Sequence, residues 1–285
     1  MPGLLSFHAH PDDESIATGG TLARFAANGE RVVVVTATDG ALGEIHNHDD
    51  PDAIRSKLAQ VRADEVMAAL EILGVGHHEF LGYRDSGMMG WEDNLHPDCL
   101  WQADFMEATG RLIHLFRKYQ PEIVTIYDPF GGYGHPDHIQ VHRIGLAAFH
   151  AATDLSLFPL LGDDQPWQPE RLWMSVWPRS RMAAWADIDE SAGEIDAARA
   201  ARMRNSGFPD EKVNVWIDVE DLVEVKIAAI AAHRTQIPPH WSLINVPDAH
   251  KPMLLGHEAF VELYPSPGTN DRGRFEVIDM GATLE

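Results

Sequence analysis

Two short stretches, far apart in the chain, combine imidazole and carboxylate side chains in the same order. The first loop, residues 10–13, reads His10-Pro11-Asp12-Asp13, and the second loop, residues 135–138, reads His135-Pro136-Asp137-His138. Each loop follows an apolar run that is typical of a buried strand. We therefore expect both loops at the carboxyl edge of a sheet, where open α/β folds bind their ligands.

The crowded side chains of the two loops indicate a metal site. Neighbouring carboxylates repel one another unless a cation relieves the repulsion. A catalytic zinc site takes three nitrogen or oxygen ligands and leaves one position for water. A histidine and a carboxylate from the first loop, with a histidine from the second loop, would supply these three ligands. A leftover carboxylate could then act as a general base, and a leftover histidine as an acid or as a donor to an oxyanion.

Other histidines are interpreted as structural. A third copy of the tripeptide, His96-Pro97-Asp98, follows no predicted strand and is typical of a surface turn. His8 precedes His10 by two residues in the predicted strand, and we interpret it as a packed or supporting histidine. His233 follows a predicted helix, whose C-terminus an imidazole could cap.

The composition limits the class of protein and its partners. The 285 residues include 22 Lys and Arg against 44 Asp and Glu, a formal charge of −22, so nucleic acids and anionic membranes are not expected as partners. No apolar run reaches the ~20 residues of a membrane span, and the N-terminus lacks the pattern of a secretory signal, which predicts a cytoplasmic protein. The single cysteine, Cys99, rules out an internal disulfide framework. Whether the chain forms a homo-oligomer is left open.

The order of apolar runs predicts the fold class. Strand and helix patterns alternate over residues 1–155, which predicts an α/β domain with a Rossmann-like, mostly parallel sheet and flanking helices. No glycine fingerprint of a dinucleotide site follows the first strand, which counts against a non-catalytic nucleotide-binding module. Residues 156–285 predict a smaller mixed α/β portion that completes the substrate pocket, within one compact unit. The elements predicted are strands at 4–7, 31–37, 79–81, 122–127, 171–177 and 213–218, with helices at 14–27, 103–119 and 219–234 among others.

The two loops in their context resemble those of the LmbE/PIG-L family of metal-dependent N-deacetylases. The resemblance includes Gly-Gly-Thr-Leu-Ala after the first loop, Gly-Gly-Tyr-Gly before the second, and Ala-His-Arg-Thr-Gln at residues 232–236. It spans most of the first 150 residues, and the two loops together are highly specific. Within the family the chain is most similar to the mycothiol branch, which comprises an N-acetylglucosaminyl-inositol deacetylase and a mycothiol S-conjugate amidase. The features shared with that branch are Thr36-Ala37-Thr38, Gly43-Glu44, Arg62 and Asp85-Ser86-Gly87-Met88.

The resemblance implies a role for each of ten residues. The metal ligands would be His10, Asp13 and His138, which hold zinc or, alternatively, ferrous iron. The residues that act on the amide would be Asp12 as the base that activates water, His135 as the acid that protonates the leaving amine, Asp137 as the residue that orients His135, and Tyr133 as a donor to the carbonyl oxygen. The residues that contact the polyol or shape the pocket would be Arg62, Asp85 and Glu44.

The reaction that the resemblance implies is zinc-dependent hydrolysis of the N-acetyl amide of an N-acetylglucosamine conjugate. The leading substrate is N-acetylglucosaminyl-inositol, a small amino-sugar conjugate. Alternatives with the same chemistry are mycothiol S-conjugate amidase and deacetylase of another conjugate such as the bacillithiol precursor. They stay open because residues 87–101 and much of residues 155–215 depart from the two enzymes of the mycothiol branch. A metal-dependent phosphoesterase is the alternative from a different class, although it would usually use a second metal and more cationic residues.

Overall fold

One sheet connects the two portions of the chain in the computed structural model, which describes residues 3–264. Residues 265–285, the end of the predicted C-terminal portion, lie outside the described residues. The strands are β1 (Gly3–His8), β2 (Arg31–Thr38), β3 (His77–Tyr83), β4 (Ile123–Tyr127), β5 (Arg171–Val176), β6 (Val215–Asp218) and β7 (His257–Tyr264). Across the sheet they lie in the order β3-β2-β1-β4-β5-β7-β6.

The strands from β1 to β5 pair in parallel, whereas β7 runs antiparallel to both β5 and β6. The predicted α/β class with a mostly parallel sheet and flanking helices is thus confirmed. The three strands after residue 155 extend the sheet that the earlier residues begin. The boundary near residue 155 stays a prediction.

Helices cover both faces of this sheet. Among the helices of residues 3–264, none combines the length and the apolar character needed to cross a membrane. Gly74 follows the third helix at φ 73°, a left-handed conformation that glycine adopts without strain and that ends helices. The helices are α1 (Asp13–Ala27), α2 (Pro51–Arg55), α3 (Leu58–Leu73), α4 (Phe105–Tyr119), α5 (Pro136–Ala151), α6 (Arg179–Ala192), α7 (Ala197–Arg204), α8 (Val223–Ala232) and α9 (Lys251–Leu255).

The later part of the chain contains elements that its periodicity did not predict. The sequence from Pro238 onward shows little apolar periodicity, yet it forms α9 and β7. Helix α7 buries only Ala200, so its sequence carries no apolar stripe. The helix predicted over 219–234 begins later, at Val223, because a 3₁₀ turn at Glu220–Leu222 precedes it.

The side chains of β1 alternate between two apolar layers. Leu5 and Phe7 belong to the layer that includes Phe116 of α4. Leu4 points to the opposite face and belongs to the layer that includes Leu22 of α1. Because β1 is covered on both faces, its position in the centre of the sheet is fixed by packing on two sides.

The order of the strands places the carboxyl ends of β1 and β4 side by side. Leu4, Leu5 and Ser6 pair with residues of β4, while β2 lies on the other edge of β1. The chain leaves β1 toward β2 and leaves β4 toward β5, so the connections after the two strands diverge. Such a switch point opens a crevice outside the sheet, where α/β folds bind ligands.

Candidate metal centre

The first and second loops meet at this crevice. Asp13 is the first residue of α1, and its Oδ2 accepts a hydrogen bond from the backbone N–H of His10 at 2.8 Å. His138 lies in the first turn of α5, which begins at Pro136. His10 and His138 are 7% and 4% exposed, so these rings are held by packing rather than by solvent.

The three ligands implied by the family resemblance form a nearly equilateral triangle. The distances are 3.4 Å from His10 Nδ1 to Asp13 Oδ2, 3.4 Å from His138 Nε2 to the same oxygen, and 3.3 Å between the two nitrogens. Zinc bonds of ~2.0–2.1 Å at tetrahedral angles require ligand atoms about 3.3–3.4 Å apart. The donor set and its spacing therefore fit one face of a zinc tetrahedron.

The opposite nitrogen of His10 faces two further carboxylates. His10 Nε2 lies 3.2 Å from Asp137 Oδ2 and 3.6 Å from Asp85 Oδ1. Two other sets of side chains could also hold a metal ion, because within each set the ligand atoms lie within 4.8 Å of one another. The first set is His10, His135 and His138, and the second is His10, Asp85, His135 and Asp137. The Nε2 and Nδ1 atoms of one ring point apart and cannot bind the same ion. We favour the Nδ1 side, where three equal distances meet.

Asp137 makes contacts that differ from its expected role. Asp137 is predicted to orient His135, but its Oδ2 is 3.9 Å from His135 Nδ1, beyond hydrogen-bond distance. The carboxylate instead contacts His10 Nε2 and accepts hydrogen bonds from the N–H and the hydroxyl of Ser86. A carboxylate behind a ligating imidazole fixes the ring orientation and its tautomer.

Asp137→Asn is therefore expected to weaken zinc affinity by roughly 10–100-fold, the usual effect of removing a carboxylate that supports a histidine ligand. The amide keeps the volume of Asp137 but not the charge that favours a proton on His10 Nε2 and leaves Nδ1 free. Competition titration against a zinc-binding dye measures the change. Asp98→Asn, in the exposed third His-Pro-Asp copy, is the matched control. Unchanged affinity in Asp137→Asn would contradict the support of His10.

The acidic groups around His10 change its ionisation and that of Asp13. Burial opposes a charge on His10, but the carboxylates of Asp85, Asp13 and Asp137 outweigh it and raise the pKa of the ring well above its usual value. Burial likewise opposes a charge on Asp13, but His138 and His10 hold the pKa of this carboxyl well below its usual range. The centre is thus built to accommodate positive charge.

Asp12, the expected base, lies beside the ligands and pairs with Arg62. Its Oδ1 is 3.2 Å from Arg62 Nη2, and its side chain is 18% exposed. Burial raises the pKa of Asp12 to about 6, although the guanidinium of Arg62 acts in the opposite direction. A carboxylate with such a pKa is ionised at neutral pH and is yet a stronger base than an ordinary aspartate.

His135 and Tyr133 lie beside the two histidines of the triangle, with ring centroids 4.5 Å from His10 and 4.8 Å from His138 respectively. His135 caps α5, since its Nδ1 accepts the N–H of Asp137 at 3.2 Å, so the neutral ring carries its proton on Nε2. Burial and the charges of His10 and His138 lower the pKa of His135 to about 3. The hydroxyl of Tyr133 is 3.4 Å from His138 Nε2, and burial raises its pKa, so the phenol remains a hydrogen-bond donor.

The three residues expected to bind substrate differ in exposure. Arg62 is 3% exposed, and its Nη1 donates to the carbonyl of Gly40 at 2.7 Å. Asp85 is also 3% exposed and accepts hydrogen bonds from the backbone N–H groups of Leu42 and Gly87. The side chain of Glu44, by contrast, is 83% exposed. The structure therefore places Arg62 and Asp85 at the centre, whereas the side chain of Glu44 faces solvent.

Three further residues support the centre: His8, which the sequence predicts as a packed or supporting histidine, and Tyr127 and Ser86, for which the sequence indicates no such role. His8 is 1% exposed and contacts the hydroxyl of Tyr127 through Nδ1 at 2.9 Å and Ser6 through Nε2 at 2.7 Å. The ring of Tyr127 stacks on that of His138 with centroids 4.6 Å apart. The apolar pattern of β4 gave no sign of the polar contact of its last residue. Ser86 belongs to the Asp85-Ser86-Gly87-Met88 motif, but its contact with Asp137 depends on how the loops pack across the crevice.

The chain is similar in sequence to a known family over about half of its length and to curated proteins over most of it. The family model described as PIG-L, GlcNAc-PI de-N-acetylase, matches residues 5–149. A 1D-myo-inositol 2-acetamido-2-deoxy-alpha-D-glucopyranoside deacetylase from Thermomonospora curvata is 39% identical over 245 residues, which cover 82% of this chain and 80% of that protein.

Two solved structures share the fold. N,N'-diacetylchitobiose deacetylase from Pyrococcus horikoshii has a TM-score of 0.63 at 22% identity, covering 92% of this chain and 84% of the other. The 4-carboxy-2-hydroxymuconate hydratase from Pseudomonas putida has a TM-score of 0.60 at 20% identity, covering 93% and 97%. At these identities the likeness concerns the fold alone, and the fold serves more than one reaction.

Proposed function

This chain belongs to the PIG-L family of de-N-acetylases, hydrolases that act on amides, and we propose that it removes the acetyl group from an N-acetylglucosamine conjugate. The leading substrate is N-acetylglucosaminyl-inositol, because the relative from Thermomonospora curvata is named for the deacetylation of such an inositol glycoside. The observation that carries the proposal is the triangle of His10 Nδ1, Asp13 Oδ2 and His138 Nε2 beside Asp12. We further propose a cytoplasmic location.

We infer that His10, Asp13 and His138 hold Zn²⁺, with Fe²⁺ as the alternative. Two neutral imidazoles and one carboxylate form a donor set that suits either ion. When bound, the ion supplies a Lewis acid that polarises the amide carbonyl and lowers the pKa of a water molecule.

Asp12 is the proposed base. Its carboxylate accepts a proton from the attacking water, whose oxygen forms a bond to the amide carbon. The guanidinium of Arg62, 3.2 Å away, orients the carboxylate and keeps it ionised. The carbonyl oxygen takes up negative charge at this point, and the hydroxyl of Tyr133 is positioned to donate a hydrogen bond to it.

The amine must receive a proton as the carbon–nitrogen bond breaks, because an amide anion is too basic to leave. His135 is the proposed donor. Its low pKa means that the ring is neutral before the reaction. The negative charge that grows on the carbonyl oxygen raises this pKa, so the ring takes up a proton from solvent and delivers it to the nitrogen as the carbon–nitrogen bond breaks. Asp12 then returns to solvent the proton that it accepted from the attacking water. The products are acetate and the free amine. The roles of Arg62, Asp85 and Glu44 toward the polyol rest on the family resemblance.

Arg62→Met is expected to move the rising limb of the pH profile of kcat/KM to higher pH. The reason is that the guanidinium lowers the pKa of Asp12, so its removal raises this pKa and the base becomes ionised only at higher pH. The pH profile of the zinc-loaded variant measures the shift. Arg55→Met removes an exposed cation nearby and should leave the profile unchanged. A downward shift or no shift in Arg62→Met would contradict the pairing.

The proposed function is tested by acetate release from a panel of amides. The panel contains N-acetylglucosaminyl-inositol, N-acetylglucosaminyl-malate, a mycothiol S-conjugate and N-acetylglucosamine. Each is incubated with the protein as purified, after chelation, and after addition of zinc or ferrous iron. Acetate from the inositol conjugate that disappears on chelation and returns with metal would support the proposal.

Two other outcomes would indicate a different function. Metal-dependent release of amine from the S-conjugate alone would indicate a mycothiol S-conjugate amidase. Release of phosphate from phosphate esters without any acetate would indicate the phosphoesterase instead. The phosphoesterase is less well supported, since Arg62 is 3% exposed and its guanidinium is engaged by Asp12 and the carbonyl of Gly40.

A further inference from the structure

Asp12 has a backbone conformation that side chains rarely adopt. Its φ is 133° and its ψ is −32°, in a region that favours glycine. A residue in such a conformation is strained and keeps it only when its surroundings enforce it. Asp12 is also the residue before α1, but its side chain caps none of the helix N–H groups. Other groups must therefore hold the backbone of Asp12.

Glu14 contacts the backbone of Asp12 directly. Its Oε2 accepts the N–H of Asp12 at 3.0 Å, and its Oε1 accepts the hydroxyl of Ser15 at 2.6 Å. Glu14 is 0% exposed. A buried carboxylate without a cation or a donor would be strongly destabilising. The two donors satisfy part of this requirement, and an imidazole beside the carboxylate would stabilise its charge further.

His233 supplies that imidazole. Its Nε2 lies 2.8 Å from Glu14 Oε1, and both side chains are 0% exposed. The segment that carries His233 is fixed to α3, because the N–H of Thr235 donates to Glu65 Oε1 at 2.7 Å. Among the described residues, His233 Nδ1 has no hydrogen-bond partner. The N–H on Nε2 thus donates to Glu14 Oε1, and the carboxylate of Glu14 raises the pKa of the His233 ring.

We infer that Glu14 and His233 are positioning residues that hold the strained backbone of Asp12 and thereby aim its carboxylate. This inference rests on the proposed role of Asp12 as the base. His233, from the chain after α8, supports Glu14, and Glu14 supports the N–H of Asp12. Arg62 holds the carboxylate at its other end. The base is therefore fixed through its main chain and through its side chain by separate contacts.

The inference is tested with His233→Ala and Glu14→Ala, each alone and combined with Asp12→Asn. We expect each single variant to lower kcat by roughly 10–100-fold, the effect of a small misplacement of a catalytic group, with KM changed by less than about twofold. Stoichiometric zinc should be retained. In the Asp12→Asn background neither variant should lower the residual kcat further, because residues that act through one group are not additive.

Two further variants separate positioning from general stability. Glu14→Gln keeps an oxygen that can accept the N–H of Asp12, so it should recover most of the kcat lost in Glu14→Ala and should fold if Glu14→Ala does not. Glu258→Gln disrupts another buried ion pair, that between Glu258 and Lys226. The carboxylate of Glu258 also contacts α1, where it accepts the N–H groups of Gly20 and Thr21. Glu258→Gln should lower the melting temperature and leave kcat unchanged.

The opposite results would overturn the inference. One such result is that His233→Ala or Glu14→Ala lowers kcat in the Asp12→Asn background by the same factor as in the wild type. The other is that Glu258→Gln lowers kcat as much as His233→Ala does. Crystal structures of the zinc-loaded variants give a readout that needs no activity. The φ of Asp12 should leave the positive region in Glu14→Ala, and an unchanged φ would count against the inference. If the wild-type protein releases no acetate from any amide, the proposed function fails, while this structural readout still decides whether Glu14 holds Asp12.

Discussion

Asp12→Asn is expected to lower kcat by roughly 10²–10⁴-fold, the usual contribution of a general base, while the protein keeps its zinc and its fold. Asparagine has the shape of aspartate, but its amide cannot accept a proton from water. The three ligand atoms come from other residues, and Arg62 still donates to the carbonyl of Gly40. Acetate release, metal content and thermal unfolding measured on one preparation give the result.

A matched control is available for this change. Asp50→Asn alters another aspartate that precedes a helix, on the surface at the start of α2, and should leave turnover unchanged. The assignment of Asp12 would be refuted in two ways. Loss of zinc from Asp12→Asn would make Asp12 a ligand, and full turnover with zinc present would place the base elsewhere.

His10→Ala and His138→Ala are expected to lose zinc and to reduce acetate release to background. Each removes one of three ligand atoms that lie 3.3–3.4 Å apart, and two remaining ligands cannot close a tetrahedral site. The loss of affinity should exceed the roughly 10–100-fold expected for a residue that only supports a ligand. Titration with zinc under competition, with metal analysis after gel filtration, measures both variants.

The control for these variants is His150→Ala. His150 lies near the C-terminal end of α5, whereas His138 lies in the first turn of the same helix. The side chain of His150 is exposed. It should bind zinc as the wild type does. Stoichiometric zinc in His10→Ala or in His138→Ala would show that the triangle is not the metal site.

The sequence was sufficient to predict the frame of the site. The β-branched run at residues 31–37 and the apolar runs before the two loops predicted parallel strands, and the structure has them as β1, β2 and β4. Because β1 and β4 are neighbours, the two loops had to meet at the same edge of the sheet. Spacing alone left open which side chains of the loops bind the metal, and the choice of His10, Asp13 and His138 is what the family resemblance implies.

The contacts behind the ligands could not be predicted in the same way. Asp137 was expected beside His135, two residues away, but its carboxylate contacts His10 on the other loop. Side-chain direction at a crevice depends on how the loops pack, which local spacing does not encode. The contact of Arg62 with Asp12 is another that local spacing does not encode, and the contact of Arg62 with substrate stays a prediction. Likewise, α7 and β7 form through tertiary contacts and lack a strong periodic pattern.

The backbone of Asp12 makes position 12 a marker of selection. Glycine adopts a φ of 133° at little cost, so Asp12→Gly would relieve about 1–3 kcal/mol of strain while removing the carboxylate. Aspartate at this position therefore lowers the stability that glycine would give, and only the function of its carboxylate offsets that cost. In lineages of this fold that no longer need hydrolysis, drift should replace Asp12 with glycine before it erodes the buried residues around it. The identity of one residue would then distinguish relatives that still hydrolyse amides from relatives that have kept only the fold.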